Sequence, residues 1–259
     1  RRLSILESPK FAQKKRKKII IKTLLFSICI LLFIFNIILF LRLPYLQISE
    51  ININGAIKLD ANLIRQNLIS KLDGNYILYI PKSNILFYPK SSIINDLKNS
   101  FIGIDLIKIK LSSFSGLEIS IFERKAEALI CDGFYNEDEK SEKCYSVDKN
   151  AFVFEKSLFF SEGVFPHYYF NLNENKKILG EYFIDSNLFI KLQDFIKKLE
   201  IANIPVLGLL IGDSGQYELY IKNFDSSDAT VYFDDKIPFE KTLENLIIFW
   251  NDAILKNKT

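Results

Sequence analysis

Few residues in this chain are of the types that do chemistry. His167 is the only histidine, and it sits in an aromatic run, FPHYYFNLN, at 165–173. A Ser/His/Asp or Cys/His arrangement needs an imidazole beside a nucleophile and an orienting acid, and nothing in the run points to those partners. The three cysteines, Cys29, Cys131 and Cys144, form no Cys-x-x-Cys pair. One histidine with scattered carboxylates is a poor basis for a zinc site. Asn136, Glu137, Asp138 and Glu139 are consecutive, without the alternating ligand spacing of a calcium loop, so a solvated loop is expected. Gly208, Gly212 and Gly215 punctuate the segment 204–223. A phosphate loop needs Gly-Lys-Ser/Thr, whereas Asp213 follows Gly212. No catalytic set, metal site or cofactor is expected, and binding is the class that remains. A membrane-anchored hydrolase is the weaker alternative.

One pair keeps a chemical reading. Residues 126–131 and 143–154 read as two strands around an acidic loop, DGFYNEDEKSE. If Cys131 faces Cys144, the antiparallel register sets Ile130 against Tyr145 and Ala128 against Val147, both apolar pairs. The same register sets Glu127 against Asp148, which counts against it. A Cys131–Cys144 disulfide and two independent thiols are the two outcomes. A disulfide persists only outside a reducing compartment.

The element that decides the compartment is the stretch 23–41, TLLFSICILLFIFNIILFL, which holds no charge and no proline. As a helix, about 19 residues at about 1.5 Å each reach roughly 28 Å, close to the thickness of the hydrocarbon core of a bilayer. Its apolar residues lie on every side, so it has no polar face for water. Nine basic residues and one acid, Glu7, precede it, a net +8, and only Arg42 follows closely. Positive charge stays inside, so the N-terminus is expected in the cytoplasm and the remainder outside. A cleaved signal peptide is the rival; the run is longer than such a core, and no A-x-A-like site follows. The basic cluster is expected to face anionic lipid. The chain contains no methionine, so Arg1 is expected to lie downstream of the translated start.

Beyond residue 41 there are 218 residues with 25 basic and 30 acidic side chains, about −5. That balance disfavours nucleic acid as a partner and leaves room for one large or two small domains. Residues 46–54 alternate as a strand with a possible bulge near Ser49 and Glu50, ended by Gly55. Asp60 is an N-cap for a helix with Leu63, Ile64, Leu68 and Leu72 inward, stopped at Asp73-Gly74. A short apolar run follows at 76–80. Ser91 or Ser92 caps a second helix with Ile93, Ile94 and Leu97 inward. Residues 102–111 and 117–122 alternate as paired strands around Ser115-Gly116. Asp185 or Ser186 caps a helix with Leu188, Leu192, Phe195, Ile196 and Leu199 as its stripe. Residues 216–221 and 229–233 read as strands around a turn at 223–228, and 239–255 as a last helix with Leu243, Leu246, Ile247 and Trp250 inward. The fold class is α+β.

The order strand, helix, short extended run, helix, strand, strand over 47–124 resembles a POTRA domain. EISIFERKAEALI at 118–130 resembles the strand and following ER-x-P-x-A of the FtsQ/DivIB family of bacterial cell-division proteins. ISEININGAIKLDANLIRQNLI at 48–69 resembles that family's first strand, turn and helix, and CYSVDKNAFVF at 144–154 its V-D-x-x-G hairpin. A basic tail (1–22), one span (23–41), a POTRA domain (46–124) and a β-rich domain (125–259) is also the family's layout. The chain departs from the pattern in places. Ala126 stands where proline is usual, and 112–116 replaces an R-x-x-P turn. Residues 82–90 look like a small insertion, and a final Y-I-D-L-R type strand is not seen before LKNKT.

The resemblance implies a non-enzymatic scaffold of the division machinery at the septum, a bitopic protein of the inner membrane that links early to late division proteins. Its β-rich domain would bind small single-span coiled-coil partners, FtsB and FtsL, in part by accepting a partner strand at a sheet edge. Its POTRA domain would serve recruitment. By position, the partner surface falls on Tyr217, Leu219, Tyr220, Val231 and Tyr232, with Phe249 and Trp250 on the last helix. The other readings are a POTRA protein of a secretion or outer-membrane assembly system, and a membrane-anchored interaction protein of another pathway.

Overall fold

In the computed structural model the described residues are 9–76, 79–133, 135, 143–157, 164–170, 177–223 and 227–257. The acidic loop with Asn136, Glu137, Asp138 and Glu139, residues 224–226 of the turn at 223–228, and Ile77 and Leu78 lie outside them. The chain is α+β, and it divides into two units, one of residues 1–99 with 106–122, the other of residues 100–105 with 123–259.

The first unit opens with helix α1, Pro9–Leu41, which begins well before the apolar stretch. Its portion Arg16–Leu41 is long and apolar enough to cross a membrane, and among the described residues it is the one such helix. The Leu41 carbonyl accepts hydrogen bonds from Gln47 Nε2 (2.8 Å) and Asn84 Nδ2 (2.7 Å). Such a carbonyl has no partner within its own helix. Residues Pro44–Leu46 form a 3-10 turn, not the start of a strand. Strand β1, Glu50–Asn54, begins only where Ser49 and Glu50 both donate to the Ser115 carbonyl. Gly55 ends it at φ +86°, where a Cβ would lie 2.2 Å from the Ile121 carbonyl oxygen.

Helix α2, Ala61–Leu72, is capped by Asp60, which accepts from the Asn62 N–H at 2.8 Å. It buries Ile64, Leu68 and Leu72, whereas Leu63 faces out. Helix α3, Lys90–Ser100, starts directly after Pro89, so Ser91 and Ser92 lie inside it and do not cap it. Pro89 supplies the carbonyl for the first turn, accepting from the Ile93 N–H. Ile93 and Leu97 point inward. Strands β2, Ile104–Leu111, and β3, Gly116–Glu123, complete a sheet in the order β1-β3-β2, with β1 and β3 parallel. Ile107, Ile109, Leu117, Ile119 and Ile121 form its buried face.

The second unit is built on a seven-stranded sheet. Its strands are β4 Ala128–Asp132, β5 Cys144–Val147, β6 Val153–Ser157, β7 His167–Phe170, β8 Val206–Ile211, β9 Gln216–Lys222 and β10 Asp228–Asp234. The order is β10-β9-β8-β7-β4-β5-β6; β7 runs parallel to both β4 and β8, and the other pairs are antiparallel. The expected single strand at 143–154 is two strands, because Asp148 turns the chain: its Oδ1 accepts from the N–H groups of Asn150 and Phe152. Strand β8 has no counterpart in the sequence expectations. It is a mostly apolar run at the centre of the sheet, so it shows no alternation to read. Gly208 within it leaves room for the Tyr169 ring, which a Cβ would meet at 2.5 Å.

Helices α4, Ser186–Ile201, and α5, Phe239–Asn257, pack against the same core. Asp185 caps α4 by accepting from Asn187 and Leu188. The helix ends in a Schellman motif, with Asn203 at φ +58° donating to the Glu200 carbonyl and Ile204 donating to that of Leu199. Phe189, Leu192, Phe195, Ile196 and Leu199 are buried on one side of the sheet. On the other, Cys131 and Cys144 are disulfide-bonded among Leu129, Tyr169, Leu207 and Tyr220. The register opposite that bond pairs Ile130 with Tyr145 and Ala128 with Val147, as the sequence suggests.

Candidate partner-binding edge

Strand β10 ends the sheet on one side, and no strand among the described residues pairs with its outer edge. Its register against β9 places Val231 opposite Leu219, Tyr232 opposite Glu218 and Phe233 opposite Tyr217. Two flanking bonds fix which backbone groups are used. Asp235 N–H donates to the Gly215 carbonyl (2.9 Å), and Asn223 N–H to that of Ser227 (2.8 Å). Hydrogen-bonded pairs alternate along an antiparallel ladder, so residues 229, 231 and 233 bond to β9. The backbone groups of Thr230 and Tyr232 therefore point away from the sheet.

The seven residues assigned by position divide sharply. Tyr217, Leu219, Tyr220 and Trp250 are buried. Tyr217 stacks on Phe233 with centroids 5.1 Å apart and meets Phe239 edge-on at 5.5 Å, so it belongs to the core under α5. Leu219 and Trp250 belong to the same core. Tyr220 faces the opposite side, where it packs with the disulfide and Tyr169. Val231 is half-buried, and Tyr232 and Phe249 are exposed, at 72% and 70%. The accessible set is thus Val231, Tyr232 and Phe249. Both faces of β9 are covered, so apolar alternation along it reports a core, and the open surface starts one strand further out.

A groove of about 710 Å³ runs between β10 and α5. Besides Tyr232 and Phe249 it is lined by Phe233, Asp234, Ile237, Thr242 and Leu246. Ile237, Thr242 and Leu246 were not expected at the site. On α5 the spacing of 242, 246 and 249 is that of one helix face, a signal the sequence carried. No protein-family model matches the chain, and no curated protein matches it. The edge is therefore described by its own chemistry.

Tyr220 donates to Glu218 Oε2 at 3.0 Å, and burial pushes its hydroxyl above the ordinary tyrosine range, reinforced by that carboxylate. Burial likewise raises Tyr217, with Asp235 adding to it. Both phenols stay neutral, Tyr217 at the groove and Tyr220 on the opposite face of β9. His167 lies buried in β7, stacked on Tyr169 with centroids 6.5 Å apart. Among the described residues no group of three or more His, Cys, Asp or Glu is placed to hold a metal ion. What the edge offers is a row of backbone donors and acceptors, an apolar shelf beside it, and the carboxylates of Glu218 and Asp234 along it.

Proposed function

We propose that the protein is a non-catalytic, single-span membrane scaffold of the FtsQ/DivIB kind, acting in bacterial division. In this reading the N-terminal tail is cytoplasmic, the first unit is the POTRA domain, and the second unit captures a small bitopic partner. The observation that carries it is the edge of β10, unpaired among the described residues, beside an apolar groove. An added strand gains main-chain hydrogen bonds from Thr230 and Tyr232, and its alternate side chains meet α5 on one side and Tyr232 with Glu218 on the other. Asp234 and Glu218 favour a partner strand with a basic residue near each of them. The β-α-α-β-β order of the first unit, with its third strand between the other two, supports the POTRA reading. The disulfide supports placing the second unit outside the reducing cytoplasm.

A fluorescent fusion of the whole chain tests the reading. A band at the future septum is expected, and uniform peripheral label through the division cycle overturns it. Co-purification from solubilised membranes should recover a small bitopic coiled-coil protein with the native chain.

A further inference from the structure

The first unit carries an apolar surface at one end that the partner edge does not use. In this unit β1 leads away from α1, α2 returns, α3 leads away, β2 returns and β3 leads away again, parallel to β1. Three connections therefore gather at the end where α1 stops: 42–49, 73–89 and 112–115. Direct bonds tie them together. The Leu41 carbonyl accepts from Asn84, Ile48 N–H donates to the Ser83 carbonyl and Ile85 N–H to that of Leu46. Ser49 N–H donates to the Ser115 carbonyl.

These loops are unusually apolar for loops. Tyr45 and Phe114 are more than four-fifths exposed, at 81% and 84%, and Leu86, Phe87 and Tyr79 also face outward. Charge is sparse, with Arg42 and Lys82 positive and Asp73 negative across all three connections. Exposed large apolar side chains gathered at one end mark a contact surface. The occupant follows from continuity. Leu41 is the last residue of the apolar helix, so its immediate neighbours lie where that helix leaves the hydrocarbon layer. Tyrosine is favoured at that boundary, leucine and phenylalanine just below it.

We propose that this end of the first unit docks on the bilayer, with Leu86, Phe87 and Phe114 entering the interfacial layer of the leaflet from which α1 emerges, and Tyr45 and Tyr79 at headgroup level. The proposal rests on α1 crossing the membrane. The near balance of charge makes the contact apolar in origin, so it forms on neutral lipid as well as on anionic lipid.

The test uses the full chain reconstituted in phosphatidylcholine vesicles, with a bimane label on single cysteines. The positions are the native Cys29, and, with Cys29→Ser, Phe87→Cys, Phe114→Cys and Ile57→Cys. Ile57 is exposed at the opposite end of the unit. Labels at 87 and 114 should be quenched severalfold more by shallow spin-labelled lipid than by aqueous iodide, and the label at 57 the reverse. A deeply quenched Cys29 label with iodide-exposed labels at 87 and 114 overturns the docking surface alone. An unquenched Cys29 label overturns the span and the docking surface together. Labels at 87 and 114 shielded from both quenchers indicate a protein partner or a second copy, and overturn the lipid assignment.

Discussion

The guanidinium of Arg124 is hydrogen-bonded to the carboxylate of Asp148 inside the second unit, and both side chains are largely shielded from solvent. Arg124 also donates from Nε to the Ile102 carbonyl (3.1 Å), lies over the Phe152 ring at 4.0 Å, and has Asp105 at 3.9 Å. Asp148 spends its other oxygen on the turn before β6. The pair thus joins the strand exit at 124 to the β5–β6 turn. Removing one member leaves a buried charge unpaired, which costs about 3–5 kcal/mol. Arg124→Met should lower unfolding stability by about that much, and the double variant Arg124→Met with Asp148→Asn should recover part of it. Chemical denaturation checks both, and a single variant as stable as the native chain contradicts the assignment.

The disulfide joins residues 13 apart across adjacent strands. Closing a loop of that size in the unfolded chain is worth about 3 kcal/mol. Cys131→Ser with Cys144→Ser should lose about 2–4 kcal/mol, and the native chain should lose the same on reduction. Mass spectrometry of unreduced protein purified from membranes should find the two thiols joined; finding both free contradicts the pairing.

Tyr232 and Trp250 should separate surface from core. Tyr232 faces solvent opposite Glu218, so Tyr232→Lys places an amine near a carboxylate on an edge strand and should change stability by no more than about 0.5 kcal/mol. It should abolish capture of the bitopic partner, as should Phe249→Lys. Trp250→Ala removes a buried ring and should cost about 3–5 kcal/mol. Partner capture that survives both lysine variants moves the site away from this edge.

Alkaline pH should weaken the second unit. Burial raises the Tyr168 and Tyr220 hydroxyls above the ordinary value of about 10. A group raised on folding contributes stability that is fully present below its unfolded value and is lost as pH climbs from there toward its folded value. Stability should therefore hold to about pH 10 and fall beyond it. Tyr220→Phe should flatten that fall, measured as denaturant midpoint against pH alongside tyrosinate absorbance. An unchanged slope contradicts the burial argument.

The caps of two helices were legible: Asp60 and Asp185 mark α2 and α4, whereas α3 follows Pro89 without a serine cap; the stripe of α4 is the one that packs. The Cys131–Cys144 register was legible too, because short apolar strands around a loop admit few pairings. The objection from Glu127 opposite Asp148 dissolves in three dimensions, since Asp148 turns to Arg124, which sequence distance along the strand does not show. Strand β8 was missed because burial on both faces erases alternation. The site was legible only at its rim. Tyr232 and Phe249 look like Tyr217 and Trp250 in sequence, and only the neighbours decide which pair meets water.

Two amides from the folded unit donate to the Leu41 carbonyl, so the end of α1 is tied directly to the first unit. A loose linker at that point would let a domain wander about its tether. In a chain whose α1 crosses the bilayer, a change in helix tilt, of the kind that bilayer thickness imposes, would pass to the first unit through these bonds. Local membrane thickness would thereby bear on that unit's heading, through one carbonyl oxygen.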